Sequence, residues 1–207
     1  MFRYMKVINK AMELLKGREI LILQIQYLAS MMYPDAREKG YYYQREVSGG
    51  MIGDQAIHIL DLCRYILQDE MKEVQAFGAN VMQPKTKEIT TEESAIMNML
   101  STKNTLVSYM HTWTHRTWGG RMEIFAPEAR LEIDLFGRKM TGVVDGMEIS
   151  YAPPENPGFH YSELEEFVKY IADGTGKILS PYSDTVKTME LLEGVMKSID
   201  DDTVVKL

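Results

Sequence analysis

The stretch from Gly49 to Leu67, GGMIGDQAIHILDLCRYIL, holds the residues whose types and spacing best suit chemistry. Asp54, His58 and Asp61 recur at four- and three-residue steps, and neighbours at those steps on a helix sit roughly 5–6 Å apart. The chemistry is proton transfer. Histidine has a reference pKa of about 6.5, close to the operating pH. A carboxylate one turn earlier can orient the ring or stabilise its charged form. Oxidation of an alcohol needs such a base for the hydroxyl proton while hydride leaves carbon. The bland alternative is a helix start in which Asp54 favours the dipole and His58 is a satisfied, partly buried side chain. A metal shared by Asp54, His58 and Asp61 is a third reading, since i, i+4 ligands can hold one ion, but no further ligand is apparent. Asp61 and Arg64 read as structural, through an ion pair or a cap-type contact along the helix. Gly49, Gly50 and Gly53 leave room at the helix start for backbone to approach a ligand, which makes Gly50 a candidate binding residue.

Three other sets carry weaker signals. Tyr41-Tyr42-Tyr43 lies in a loop, Met31 to Ser48, with Pro34 and Gly40. It is either partly buried packing or a set of aromatic faces and hydroxyls at a pocket mouth, suited to a sugar or polyol. His111 and His115, in HTWTH, invite a zinc reading. Thr and Trp favour a strand there, where i and i+4 lie roughly 13 Å apart, too far for one ion. Tyr109, His111, Trp113 and His115 would then share one sheet face. His160, just before the penultimate helix, is a loop residue that can reach the pocket.

These groups must be positioned by the elements around them. In the key helix Ile52, Ala56, Ile59, Leu60, Cys63 and Leu67 form the apolar stripe opposite the polar one. Before it, Tyr4 to Lys16 has a helical pattern stopped by Gly17, and Glu19 to Ser30 alternates as a strand. After it, Glu73 to Met82 reads as a strand and Gln83 to Glu93 as a polar turn. Three hairpins follow: Ser94 to Leu100 with Thr105 to Trp113, Arg121 to Phe125 with Arg130 to Leu135, and Arg138 to Val144 with Met147 to Tyr151. Pro153, Pro154 and Pro157 mark a break. Helices over Tyr161 to Ala172 and Ser183 to Ser198 close the chain, with Ser183 as N-cap. The order predicts an α+β fold over residues 1–207: one large, mostly antiparallel open sheet with helices packed on one face.

Composition bounds the function. The 207 residues carry a net charge of -7, which argues against a nucleic-acid partner. The single cysteine, Cys63, excludes an internal disulfide and fits a reducing, cytoplasmic setting. The most apolar run, Ile20 to Met32, is interrupted by Gln24 and Gln26 and is too short to span a bilayer, so no membrane is expected.

The pattern GG-x3-D-x3-H-x2-D-x2-R resembles the signature of the glucose-fructose oxidoreductase / inositol dehydrogenase / MocA (Gfo/Idh/MocA) family, in its second, substrate-binding domain. Ala56 stands where the family has Gly. MKVINKAMELLKGREILILQIQYL resembles that domain's entry helix and first strand. RMEIFAPEARLEIDLF resembles a hairpin usually written with Gly at the positions of Ala126 and Ala129. The segment from Phe159 to Ile199 resembles its closing helices. The resemblance implies that Asp54 and His58 line the substrate pocket, with His58 the usual proton acceptor, and that the family is not metal-dependent. It also implies NAD or NADP as cofactor, a sugar, polyol or related alcohol as substrate, and pairing of chains through the open sheet.

The family's nucleotide half has no counterpart here. No G-x-G-x-x-G follows a strand in βαβ order, and Gly174-Thr175-Gly176-Lys177 is not a P-loop, because Ile171 and Ile178 stand where Gly and Ser or Thr belong. The Glu-Lys-Pro motif with the family's catalytic lysine is absent as well. The chain is therefore expected to bind no nicotinamide cofactor on its own. Met1 falling inside the family's middle suggests a truncated or split gene. Three roles stay open: catalytic half of an oxidoreductase completed by a separate Rossmann-domain chain, a non-catalytic sugar- or polyol-binding module, or a remnant that only dimerises. Further expectations are that Asp54 and His58 open onto the main concavity with Tyr41 to Tyr43 at its rim, and that the uncovered sheet face is apolar and aromatic and forms a homodimer or higher multiple.

Overall fold

The computed structural model describes residues 1–32, 40–153 and 159–207. Pro34, Pro154 and Pro157 lie outside these residues. The architecture follows from a period of two in the strands. β1 (Ile22–Ser30) buries Leu23, Ile25, Tyr27 and Ala29 and exposes Ile22, Gln24 and Gln26, so one face of the strand meets the core. The same alternation runs through β2 (Met71–Ala79), β3 (Ser94–Ser101), β4 (Leu106–Thr112) and β6 (Ala129–Asp134). With β5 (Thr114–Ala126), β7 (Lys139–Val144), β8 (Met147–Tyr151) and β9 (Val205–Lys206) they form one open sheet in the order β8-β7-β6-β5-β1-β4-β3-β2-β9. β1 pairs parallel with β4, and the other neighbours are antiparallel. Asp145 and Gly146, with φ of 52° and 77°, make the tight turn between β7 and β8.

Helices cover the buried face. α1 (Lys6–Leu14) contributes Val7, Ile8 and Ala11; α3 (Ile57–Leu67) contributes Ile59, Leu60, Leu62, Cys63 and Ile66; α5 (Tyr182–Asp201) contributes Leu191, Leu192 and Val195. A 3-10 turn over Phe2–Tyr4 precedes α1, and the one-turn α2 (Arg45–Ser48) leads towards α3. An ion-pair network built on the buried Arg3 and Arg64 ties these helices together. Arg3 donates to both carboxylate oxygens of Asp61, at 2.5 and 2.8 Å, and Arg64 donates to both of Glu70 at 2.6 Å and to Thr188 at 2.8 Å. Asp61 and Arg64 are structural as expected, but each pairs with another element and not with the other.

α4 (Phe159–Asp173) is different. From His160 onwards none of its residues is buried, and Leu164, Phe167, Val168 and Ile171 are 50–68% exposed. Helices of this length draw most of their stability from packing an apolar face, and among the described residues nothing covers this one.

Three readings of the sequence are corrected. The strand expected to run through HTWTH breaks at Trp113, whose backbone carbonyl accepts the amides of Met31 and Met32 at the end of β1. His115 therefore belongs to β5 and is exposed, away from the buried His111. α5 starts at Tyr182 with Pro181 at the cap position, so Ser183 is not its N-cap. The open sheet face is not uniformly apolar. The middle cross-strand row, Gln75, Asn98, Ser108, Gln24, Glu123, Glu132, Thr141 and Ser150, is polar throughout. Apolar side chains gather on the flanking rows, with Phe77, Ile96 and Met110 on one and Leu100, Leu106, Ile22 and Phe125 on the other. In the charged half Arg121 bridges Glu123 and Glu132, and Arg130 pairs with Glu123.

Candidate functional site

The start of α3 is built by the glycine pair. Gly49 ends α2 with φ +78°, and a Cβ on it would lie 2.9 Å from Cα of Gly53. Gly50 has φ +61°, and a Cβ there would stand 2.0 Å from Oγ1 of Thr91, the atom that accepts the Met51 amide at 2.9 Å. Gly50 is buried. Its lack of a side chain serves the turn and the Thr91 contact, and does not open room for a ligand. The backbone then makes a π-helical turn over Ile52–Ala56 before α3 proper. Such wide single turns interrupt the α-helical stacking and recur at functional sites.

Asp54 and His58 emerge from this turn. Asp54 is half-buried and His58 exposed. Among the described residues neither makes a hydrogen bond or ion pair with the other or with any other group. Burial raises the Asp54 pKa from the usual carboxylate value. Partial desolvation of its ring lowers the His58 pKa, the Met1 amino group and His160 adding to the shift against Asp61 and Glu163. A lowered pKa leaves the imidazole neutral near pH 7 with a nitrogen free to take a proton. His160 sits in the first turn of α4, not on a loop, and lies close enough to act on His58.

The tyrosine triplet divides. Tyr43 is buried, donates its hydroxyl to the Met31 carbonyl and packs edge-on against Trp113 at 6.0 Å, which makes it an anchor of the core. Tyr41 is half exposed and Tyr42 partly so, with their rings 4.2 Å apart. The Tyr42 pKa is pushed up to about 12, first by its hydrogen bond with Tyr41, then by burial, then by the charges of Tyr41 and Asp54. Tyr42 therefore stands within the field of Asp54.

Behind Asp54 is a polar core assembled from residues far apart in the chain. Gln55 accepts the Trp113 indole N–H at 2.7 Å on Oε1, with His111 Nε2 at 3.3 Å. His111 Nδ1 lies 2.6 Å from the Tyr109 hydroxyl. With Tyr109 donating to Nδ1 and Nε2–H donating to Gln55, the ring is neutral, and burial drives its pKa down to about 3. His111 is a structural histidine. Tyr27 stacks on it at 4.7 Å, and burial and the Asp54 charge push the Tyr27 pKa up to about 12. Among the described residues no group of three metal-ligating side chains converges.

Among the described residues, a cavity forms at a different place. A space of about 650 Å³ is lined by Lys16, Gly17, Glu19, Tyr65, Gln68 and Lys103, at the C-terminal end of α3. Asp54 and His58 stand at the other end of that helix and do not line this cavity. No strand leads into the glycine pair at residues 49–50, and that pair is occupied by contacts with Gly53 and Thr91, so it does not fit a dinucleotide pyrophosphate. Among the described residues no helix is long and apolar enough to cross a membrane.

Residues 19–132 match the GFO/IDH/MocA C-terminal domain. An uncharacterised oxidoreductase of Bacillus subtilis (strain 168), YrbE, is 27% identical over 142 residues, covering 62% of this chain and 39% of that protein. An oxidoreductase domain protein from Kribbella flavida superimposes with a TM-score of 0.83 at 17% identity, over 99% of this chain and 64% of its own. Levoglucosan dehydrogenase in complex with NADH and levoglucosan gives 0.83 at 17%, over 100% of this chain and 65% of its own. Aldose-aldose oxidoreductase from Caulobacter crescentus, complexed with glycerol, gives 0.79 at 18%, over 100% and 61%. The chain thus spans less than two thirds of the length of each relative, and identities this low carry the fold alone.

Proposed function

The chain belongs to the Gfo/Idh/MocA oxidoreductase family, through that family's C-terminal domain, and we propose that residues 1–207 act as the substrate-holding half of an NAD(P)-linked alcohol oxidoreductase. The observation that carries this is the π turn that presents Asp54 and His58, without side-chain partners among the described residues, beside Tyr42 and His160. His58, held neutral, takes the hydroxyl proton of a bound alcohol, and Asp54 accepts a second hydroxyl and sets the substrate's orientation. Tyr41 and Tyr42 border the site, Gly50 shapes its turn and Tyr43 fixes the loop to the core. A neutral sugar or polyol supplies the adjacent hydroxyls this arrangement asks for, and levoglucosan in a relative's complex supports that substrate class.

The hydride acceptor belongs to a second, nucleotide-binding half. More than a third of each related structure lies outside the match, and α4, whose His160 and Glu163 act on His58, leaves the stripe Leu164, Phe167, Val168 and Ile171 exposed. We place that half on α4, where it closes the open site. A second copy of this chain belongs on the open sheet, across the Phe77–Ile96–Met110 and Ile22–Leu106–Phe125 rows. The protein so assembled is read as cytoplasmic. A non-catalytic sugar-binding role is the second reading, favoured by the glycine pair's misfit to a pyrophosphate.

Calorimetry separates the possibilities. Levoglucosan or myo-inositol should bind the folded chain, and His58→Ala or Asp54→Asn should weaken binding by roughly tenfold, the worth of one good polar contact. Unchanged affinity in both variants contradicts the site. NADH and NADPH should show no micromolar binding to this chain; such binding would reveal a nucleotide site within it.

A further inference from the structure

Beside Asp54 lies a group of rings that the matched signature gives no role. Tyr27 pairs with Gly120 across β1 and β5, and Leu28 with Gly119, so the facing strand offers no side-chain bulk there. A Cβ on Gly120 would stand 3.2 Å from Cδ2 of Phe136 and from two carbons of Leu135. The missing side chain lets Phe136 lie against the strand. The Tyr27 ring is 5.5 Å from Phe136 and 6.4 Å, edge-on, from Trp118, and Trp118 is 6.2 Å from Phe136. Tyr27 is only 8% exposed, whereas Trp118 and Phe136 are 47% and 41% exposed. Two large rings are thus held against a buried third and left half in water, where burial would stabilise them.

The surroundings narrow what such rings take up. Tyr27 is backed by the neutral His111, so no cation stands beneath it. The Asp54 carboxylate is close enough to act on the Tyr27 hydroxyl, and it has no partner of its own among the described residues. A purely apolar ligand would strip water from that carboxylate without replacing its hydrogen bonds. A pyranose or cyclitol ring has an apolar C–H face and a rim of hydroxyl donors, and meets both demands at once.

We propose that Trp118 and Phe136, with Tyr27 as floor, form an aromatic platform that stacks on the C–H face of a cyclic sugar or polyol while Asp54 accepts hydroxyls at its edge. The proposal rests on the reading of Asp54 and His58 as a sugar site and names the surface that selects a ring over an open chain. Glycerol and other linear polyols lack the flat face and gain little from it.

The two tryptophans make the platform observable. Trp113 is fully buried with its indole bonded to Gln55, so collisional quenching by acrylamide reports Trp118. Saturating levoglucosan, D-glucose or myo-inositol should shield Trp118, and glycerol should not. Trp118→Ala and Phe136→Ala should each weaken ring binding by calorimetry by roughly tenfold, Trp118→Phe should restore most of it, and circular dichroism should be unchanged in all three. If affinity survives Trp118→Ala but falls in Asp54→Asn, the platform is overturned and the site reading stands. If affinity falls in Trp118→Ala but is untouched by Asp54→Asn and His58→Ala, the platform stands and the reading of the pair fails. No saturable shielding of Trp118 by any of the three ring compounds overturns the platform.

Discussion

Two histidines show how position decides role. Desolvation lowers the pKa of both the surface His58 and the buried His111, yet among the described residues the His58 nitrogens have no partner and both of His111 are engaged, by Tyr109 and Gln55. The consequence for pH follows from linkage. The His111 pKa falls to about 3 in the folded chain from about 6.5 unfolded, so between those values the unfolded state binds more protons and stability drops as pH falls. This one residue should contribute about 1.4 kcal/mol of lost stability per pH unit in that window. Urea denaturation of wild type and His111→Gln at pH near 6 and near 4 isolates the contribution as a shallower acid dependence in the variant. The D-x3-H pair was legible in the sequence because its spacing and flanking residues recur as a unit. The neutral core behind it was not, because Tyr27, Gln55 and Tyr109 to Trp113 come from three elements, and only the parallel β1–β4 pairing with α3 above it brings them together.

At the scale of the element, the π turn and its glycine pair matter most. The periodicity of Gly49 to Leu67 gave a helix correctly from Ile57 on, but residue type does not distinguish a wide turn from a regular one, and Thr91, which shapes it, is 41 residues from Gly50. Gly50→Ala adds a methyl against Thr91 Oγ1 at a φ of +61°. It should destabilise the chain by about 1–3 kcal/mol in chemical denaturation. Thr91→Ala in the same chain should relieve the steric part and leave the backbone part, so the double variant should be less impaired than the sum of the singles. Strand boundaries failed where backbone geometry overrode composition. Trp113 reads as strand in HTWTH, yet the chain bends there to cross the end of β1, and the stretch from Thr114 to Gly120 carries too few apolar residues to mark the first half of β5. β9 is two residues long and takes its place from pairing with β2.

For the whole molecule, the α+β plan was readable because the alternating strands, tight turns and amphipathic helices all agree. What each outer surface does was less so: a bare helix stripe and a mixed sheet face look like ordinary amphipathic elements in one dimension. The sheet face, apolar rows around a polar one, should pair copies of the chain. Ile96→Glu with Leu106→Lys should shift the sedimentation profile from dimer towards monomer at micromolar concentration while leaving the fold intact. A wild-type monomer under those conditions contradicts this pairing.

We place the substrate on the surface around Asp54 and His58, and not in the 650 Å³ cavity at the far end of α3. Titrating the 15N-labelled chain with levoglucosan and following amide and indole resonances tests it most directly. The expected result is saturable shifts at Tyr42, Asp54, His58 and the Trp118 indole, with little change at Gly17, Gln68 and Lys103. Shifts confined to Gly17, Gln68 and Lys103, with Asp54 and His58 unmoved, would put the substrate in the cavity instead.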